Sequence, residues 1–139
     1  MKSQQNKRNK PNKPLLGITM GDPAGIGPEV IAKALAGAKV RRVCRPLFIG
    51  SFPVMQQAVK SLKLKMNVIR VEGHDPKPPR LSDLAVLDPL DHPLGRFPRG
   101  VAAVETGAAS VLFFEKAVEL AQLGCIDGIV TAPINKEAI

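Results

Sequence analysis

The chain has 139 residues, of which 45% are hydrophobic and 23% charged, as in one globular domain or a part of a larger one. No apolar run approaches the roughly 20 residues that a membrane-spanning helix needs, and the N-terminus lacks the apolar stretch of a secretory signal. We therefore expect a cytoplasmic protein with no membrane partner.

The first predicted element is a disordered basic tail at residues 1–14. The tail holds five of the 20 Lys and Arg residues and none of the 12 acidic residues, so the net charge of +8 overstates the charge of the folded part. It has almost no apolar side chains that could offset the entropy cost of ordering. Because it also lacks aromatic stacking groups and a reading motif, nucleic acid is not expected as a partner.

From residue 15 onward, short apolar runs alternate with segments of helical spacing. The runs predict five strands, and apolar side chains three and four residues apart predict the helices between them. The predicted strands are LLGIT (15–19), VCRPLFIG (43–50), MNVIRV (66–71), LAVLD (84–88) and DGIVT (127–131). The first predicted helix is PEVIAKALAG (28–37), which stops at Gly37. The second is capped by Ser51 and carries on one face Val54, Met55, Ala58, Val59 and Leu62. The third spans residues 101–123 and is closed by Gly124, and a fourth is expected to start in APINKEAI (132–139).

The remaining segments are predicted loops, and the two cysteines are predicted free thiols. Residues 73–80 are Pro-rich and should form a surface loop, and residues 89–100 form a long irregular connection. Cys44 and Cys125 lie far apart beside apolar segments, so they are expected to be buried and unpaired rather than a disulfide or metal site.

This alternation predicts an α/β fold with a mostly parallel sheet flanked by helices. In such sheets ligands collect at the carboxyl ends of the strands. The segments TMGDPAGIGPEV (19–30) and TAPINK (131–136) each directly follow a strand. We therefore expect them to meet at one edge of the sheet.

The first of these segments, which we call the glycine loop, has two possible uses. Gly21, Gly25 and Gly27 permit positive φ and close approach to the backbone, and Pro28 suits the first helical position. The helix start could then accept a phosphate or carboxylate; the alternative is a tight strand-to-helix turn. A dinucleotide fingerprint is not met because Val30 replaces its third glycine, and the Lys-Ser/Thr pair of a P-loop is missing.

Two acids in the glycine loop also have two interpretations each. Asp22 could form an Asx-turn onto its own backbone, and Glu29 could complement the helix dipole. The functional alternative places one of these carboxylates against a substrate ammonium or hydroxyl group across a cleft.

Two long motifs extend this interpretation by resemblance. ITMGDPAGIGPEVIAKAL (18–35) and DGIVTAPINKEAI (127–139), with ETGAASVLFFEKAVELAQLG (105–124) between them, resemble the 4-hydroxythreonine-4-phosphate dehydrogenase family of vitamin B6 biosynthesis. The resemblance implies kinship with isocitrate and isopropylmalate dehydrogenases. It also implies a homodimer that uses NAD to oxidise a secondary alcohol of a small phosphorylated substrate, with subsequent decarboxylation of the product. The family's divalent metal is held by three histidines that are expected beyond residue 139, and His74 and His92 match none of them.

The resemblance assigns cleft residues but no catalytic residue and no metal ligand. Gly21, Asp22, Gly25 and Gly27 match the first substrate and cofactor loop, and Thr131, Asn135 and Lys136 match the second. Lys136 could pair with a substrate phosphate or carboxylate or with Asp22. The alternative is a solvent-exposed lysine, although a helix's first turn disfavours a cation.

The functional hypothesis is therefore the N-terminal part, at residues 15–139, of an NAD-dependent, metal-requiring dehydrogenase, incomplete at its C-terminus. It is expected to be inactive alone. The alternatives are a related phosphothreonate or diol-acid dehydrogenase, a phosphotransacylase-like enzyme on a similar scaffold, and an inactive truncated chain.

Overall fold

The computed structural model describes residues 13–72 and 83–134. Residues 1–12 of the predicted tail and the predicted loop at 73–80 lie outside the described residues. Lys13 and Pro14 belong to the fold, because the Lys13 ammonium donates to the carbonyl of Arg41 at 2.7 Å and the Arg45 amide donates to the carbonyl of Pro14 at 2.8 Å. The fold thus includes two residues that the sequence analysis assigns to the tail.

Five strands of the described part of the chain form one parallel sheet, which confirms the predicted fold class. All four neighbouring pairs are parallel, and the spatial order is β3-β4-β2-β1-β5. Short runs rich in Leu, Ile and Val suit a sheet that is covered on both faces. The strands are β1 (Leu15–Thr19), β2 (Arg45–Ile49), β3 (Val68–Arg70), β4 (Leu84–Leu87) and β5 (Gly128–Thr131).

In the described ranges, four helices accompany the sheet: α1 (Gly27–Ala36), α2 (Ala38–Val43), α3 (Phe52–Ser61) and α4 (Val104–Gln122). Ser51 caps α3 as predicted, since its hydroxyl accepts from the Val54 amide. The short helix α2 was missed because Gly37 was interpreted as the end of helical structure. Helix α4 begins at Val104 rather than near residue 101, and Gly124 follows its end with φ of 74°. None of the helices in the described ranges is long and apolar enough to cross a membrane.

The core lies between the sheet and the helices. The largest fully buried side chains include Phe48 of β2, Leu84 of β4 and Phe113 of α4. Cys44 is free and buried, as predicted, whereas Cys125 is free but half-buried. Burial raises the pKa of the Cys44 thiol, and the nearby charge of Lys13 partly opposes this rise.

Asp88, at the end of β4, fixes the start of α3. Its carboxylate accepts from the Phe52 amide at 2.8 Å and from the Leu90 amide at 3.0 Å. The Arg70 guanidinium lies 3.7 Å from the same carboxylate and 4.9 Å from the centre of the Phe52 ring. The carboxylate therefore occupies the positive end of the helix dipole.

Replacing Asp88 by alanine should lower the free energy of unfolding by about 2 kcal/mol, because two amides lose a charged acceptor. Arg70→Ala is the matched control and should cost at most about 1 kcal/mol, since the Arg70 side chain is 45% exposed and water screens its ion pair. Urea denaturation followed by circular dichroism measures both. Equal losses would contradict the role of the Asp88 carboxylate as the acceptor for the first amide of α3.

Candidate functional site

The glycine loop and the segment after β5 meet at the carboxyl edge of the sheet. Strand β1 pairs with β5, with Thr19 opposite Thr131. Beyond the strands, the Ala132 amide donates to the carbonyl of Thr19 at 3.2 Å, and the Asp22 amide donates to the carbonyl of Pro133 at 3.3 Å. The predicted meeting of the two segments is confirmed for residues 131–133. Asn135 and Lys136 lie outside the described residues.

Close backbone packing explains two of the loop glycines. Gly21 has φ of 71°, and a Cβ on it would collide with the carbonyl oxygen of Pro133. A Cβ on Gly27 would collide with the carbonyl oxygen of Met20 and would lie 3.1 Å from the Cβ of Ala132. Gly25 and Gly27 do not adopt positive φ, so that part of the prediction is wrong for them. Gly21 and Gly27 allow the loop to contact the segment after β5 and the helix to start directly beside it.

Three amides of the glycine loop are used within the protein. The amides of Asp22, Ala24 and Gly25 donate to Pro133, to the Asp22 side chain and to the Asp22 carbonyl, respectively. These three amides are therefore not available to an anion. Pro28 occupies the first turn of α1, as predicted, and no side chain caps this helix.

Asp22 forms the Asx-turn that is the first of its two predicted interpretations. Asp22 is only 2% exposed. Its Oδ1 accepts from the Ala24 amide at 2.8 Å, which confirms the Asx-turn. Its Oδ2 is buried without a hydrogen-bond partner in the described part of the chain. The Thr19 hydroxyl, three residues earlier, is also buried and has no partner there. An unpaired buried oxygen is costly, so each of these atoms marks a place where a donor or acceptor is needed.

Glu29 has a structural partner. Its carboxylate lies 3.0 Å from the Arg99 guanidinium, and both side chains are largely exposed. The neighbouring Gly100 amide donates to the carbonyl of Ala24 at 2.7 Å, so the connection before α4 rests on the glycine loop. This contact could not be predicted from the sequence, because residues 89–100 have no regular periodicity.

A small cleft opens beside this contact. Its volume is about 360 Å³. It is lined by Pro23 of the glycine loop, by Pro53, Val54, Gln57 and Ser61 of α3, and by Phe97 and Arg99 of the connection. The cleft reaches the glycine loop at Pro23, whereas Asp22 is not among its lining residues. Sequence reasoning did not single out Phe97 or Arg99.

No metal centre is assembled by the described residues. In residues 13–72 and 83–134, no group of three or more His, Cys, Asp or Glu side chains could hold a metal ion. His92 is exposed, and His74 lies outside the described ranges. Thr131 is exposed at the end of β5.

Comparisons with known proteins agree on one family. A protein called "Putative D-threonate 4-phosphate dehydrogenase" from Symbiobacterium thermophilum is 40% identical over 129 residues, which are 91% of this chain and 38% of that protein. A 4-hydroxythreonine-4-phosphate dehydrogenase from Desulfosudis oleivorans is 40% identical over 91% of this chain and 37% of its own. This chain thus spans well under half of the length of these relatives.

A solved structure and a family model give the same result. The crystal structure of a 4-hydroxythreonine-4-phosphate dehydrogenase from Burkholderia phymatum has a TM-score of 0.84 at 40% identity, over 91% of this chain and 38% of that one. The family model described as "Pyridoxal phosphate biosynthetic protein PdxA" matches residues 42–139, which are more than half of the chain. The chain therefore belongs to the family of the pyridoxal phosphate biosynthetic protein PdxA.

Proposed function

We propose that this chain is part of an NAD-dependent, divalent-metal-requiring dehydrogenase of vitamin B6 biosynthesis that oxidises 4-phosphohydroxy-L-threonine, with subsequent decarboxylation, in the cytoplasm. The observation that carries the proposal is the junction of the glycine loop with the segment after β5, at the edge of a parallel sheet where ligands bind. The names of the relatives support a dehydrogenase over the phosphotransacylase-like alternative.

D-threonate 4-phosphate is the second candidate substrate, because the Symbiobacterium relative is named for it. Both candidate substrates carry a phosphate and a hydroxyl group, and both would need a cationic or amide-rich site for the phosphate. The amides at Asp22, Ala24 and Gly25 are already bonded. We therefore assign phosphate recognition to groups other than these three amides, with Lys136 as the candidate cation in this chain.

The described residues do not fit the metal, because they form no cluster of metal-binding side chains. Three of the loop amides that could contact an NAD pyrophosphate, those of Asp22, Ala24 and Gly25, are bonded within the protein. The proposal assigns both groups to regions that the relatives have and this chain does not match. A homodimer, which the family resemblance implies, would contribute further walls of the cleft.

We propose that Asp22 is the residue of this chain that acts at the candidate site. Its Oδ1 holds the turn and its Oδ2 is left for a donor, either a substrate hydroxyl group or a side chain such as Lys136. Thr19 offers a hydroxyl group from the adjacent strand end. In this role the pair would orient the substrate rather than carry out the oxidation.

The test compares this chain alone with a chimera in which it replaces the matched region of the Burkholderia phymatum enzyme. NADH formation is followed with each candidate substrate, NAD and Mg²⁺ or Mn²⁺. We expect turnover by the chimera and less than about one hundredth of it by the chain alone, since losing metal ligands costs more than the 10- to 100-fold typical of disturbing their surroundings. A folded chimera that oxidises neither substrate would refute the proposed function.

In the same chimera, Asp22→Asn should lower kcat/KM by about tenfold or more, the size of one lost charged hydrogen bond. The amide keeps an oxygen for the Ala24 amide, so the free energy of unfolding should change by less than about 1 kcal/mol. Glu29→Gln is the matched control, because Glu29 already pairs with Arg99 on the surface. Unchanged kinetics for Asp22→Asn would show that its role is limited to the turn.

A further inference from the structure

The turn that carries Asp22 is closed on itself and tied to the segment after β5. The Gly25 amide donates to the Asp22 carbonyl at 2.9 Å, so residues 22–25 form a tight turn. The Asp22 amide donates to the carbonyl of Pro133 at 3.3 Å. These bonds fix the backbone of Asp22 on one side of the turn, but they do not involve its carboxylate.

Ala24 links the other side of the turn to the Asp22 carboxylate. The Ala24 amide donates to Oδ1 of Asp22 at 2.8 Å, and the Ala24 carbonyl accepts from the Gly100 amide at 2.7 Å. Ala24 is only 4% exposed, so water does not readily replace Gly100 at this carbonyl. The orientation of the carboxylate, including Oδ2, which has no partner in the described residues, therefore depends on where Gly100 holds Ala24.

Gly100 belongs to a short strap, residues 95–105, that is anchored on α4. The Gly95 amide donates to the Glu105 carboxylate at 3.0 Å, which joins the two ends of the strap. Glu105 lies in the first turn of α4, and the fully buried side chain of Phe113 anchors that helix in the core. The strap therefore holds Gly100 against the glycine loop from a well-packed base.

The ion pair between the strap and α1 contributes less to this connection. The Arg99 guanidinium lies 3.0 Å from the Glu29 carboxylate, and the two side chains are 53% and 42% exposed. Exposed pairs of this kind stabilise little, because water and salt screen them. The backbone bond from Gly100 to the buried Ala24 is therefore the contact that positions the turn.

We propose that Gly100 is a positioning residue: its amide, through Ala24, holds the Asp22 carboxylate in the orientation in which Oδ2 meets a donor of the substrate. Gly100 itself does not touch the substrate. It donates this bond from a left-handed backbone with φ of 74°, which favours glycine. The positioning role rests on the proposed function of Asp22, whereas the chain of hydrogen bonds from Gly100 to Asp22 does not.

Two substitutions at Gly100 separate its amide from its lack of a side chain. A Cβ on Gly100 would meet no non-neighbouring atom of the described residues within 4 Å, so a side chain alone causes no clash. Gly100→Pro removes the donor and is incompatible with the positive φ. Gly100→Asn keeps the donor, and asparagine tolerates the left-handed region. Gly124→Pro is the matched control, because Gly124 also has φ of 74° and its amide donates to the Ala121 carbonyl at the end of α4.

Hydrogen exchange at the Ala24 amide, followed by NMR on the chain alone, tests the connection without turnover. We expect Gly100→Pro to speed this exchange by about tenfold, the equivalent of one lost hydrogen bond. Gly100→Asn and Gly124→Pro should leave it within about twofold of the unsubstituted chain. Gly100→Val covers the case in which Gly100→Pro does not fold, since a β-branched residue disfavours the left-handed region. Unchanged exchange in whichever of these two variants is folded would overturn the proposal.

The kinetic test is a double-mutant cycle in the chimera defined above. Gly100→Pro alone should lower kcat/KM by about tenfold, and Gly100→Asn should stay within about twofold of the parent chimera. In the Asp22→Asn background, Gly100→Pro should lower kcat/KM by less than about twofold further, because the carboxylate that Gly100 positions is already absent.

Two kinetic results would overturn the proposal. One is an unchanged kcat/KM for Gly100→Pro, and the other is a further loss of about tenfold in the Asp22→Asn background, since Gly100 would then act independently of Asp22. A folded chimera without turnover would count against the proposed function instead, and exchange at Ala24 would still decide whether Gly100 holds the turn.

Discussion

Replacing Phe113 by alanine is expected to lower the free energy of unfolding by about 3–5 kcal/mol. Phe113 lies in the middle of α4 and its side chain is fully buried, within a core cluster that includes Phe48 and Leu120. Removing the ring forfeits its apolar burial and leaves a cavity between α4 and the sheet, which a close-packed interior fills only in part. A change of this size is a large fraction of the stability of a small domain.

The neighbouring residue is the control. Phe114 is 42% exposed, so Phe114→Ala should cost less than about 1 kcal/mol, although it removes the same ring from the same helix. Both changes have the same effect on helix propensity, which cancels in the comparison. Urea unfolding curves, read at constant m-value, give the two free energies. A difference below about 1 kcal/mol would show that α4 does not use Phe113 as its core anchor.

This pair also shows a limit of the sequence analysis. Helix α4 was predicted from its apolar content, but its exposed side carries Val104, Val111, Leu112 and Phe114. A helix that is apolar nearly all round has no single stripe from which the buried face can be read. The sequence therefore identified the helix but could not assign Phe113 to the core and Phe114 to the surface.

The strands were easier to predict because their signal is local. Each strand is a short apolar run beside glycine, proline or charged residues. Such a run is the expected pattern for a strand in a sheet that is covered on both faces. The spatial order of the strands is a property of long-range packing and was not predicted. Helix α2 was missed for a local reason, since Gly37 follows α1 with an extended backbone and a second, shorter helix starts at the next residue.

The position of the candidate site could be predicted from the sequence, but the contacts of its glycines and amides could not. Both segments follow strands, and the pairing of β1 with β5 brings them together. Gly21 is needed because it packs against the carbonyl oxygen of Pro133, which is more than a hundred residues away in the sequence. The spacing of residues in the sequence does not report such a contact. The loop was thus open to interpretation as an anion site, whereas the amides of Asp22, Ala24 and Gly25 are already bonded.

A substitution at Gly21 can distinguish backbone packing of the glycine loop from anion binding by the loop. Replacing Gly21 by alanine should lower the free energy of unfolding by about 3 kcal/mol, from left-handed backbone strain of about 1–2 kcal/mol and overpacking of about 1–3 kcal/mol. The strain arises because Gly21 has φ of 71°, and the overpacking arises because the new Cβ meets the carbonyl oxygen of Pro133.

Gly124→Ala is the matched control for backbone strain. Gly124 has φ of 74°, but a Cβ there has no atom within 4 Å, so this change should cost only the strain of about 1–2 kcal/mol. The difference between the two free energies of unfolding, measured by urea denaturation, isolates the contact between the glycine loop and the segment after β5. If both variants lost the same free energy, the loop would not be packed against Pro133, and the motif's glycines would have to be explained by a ligand instead.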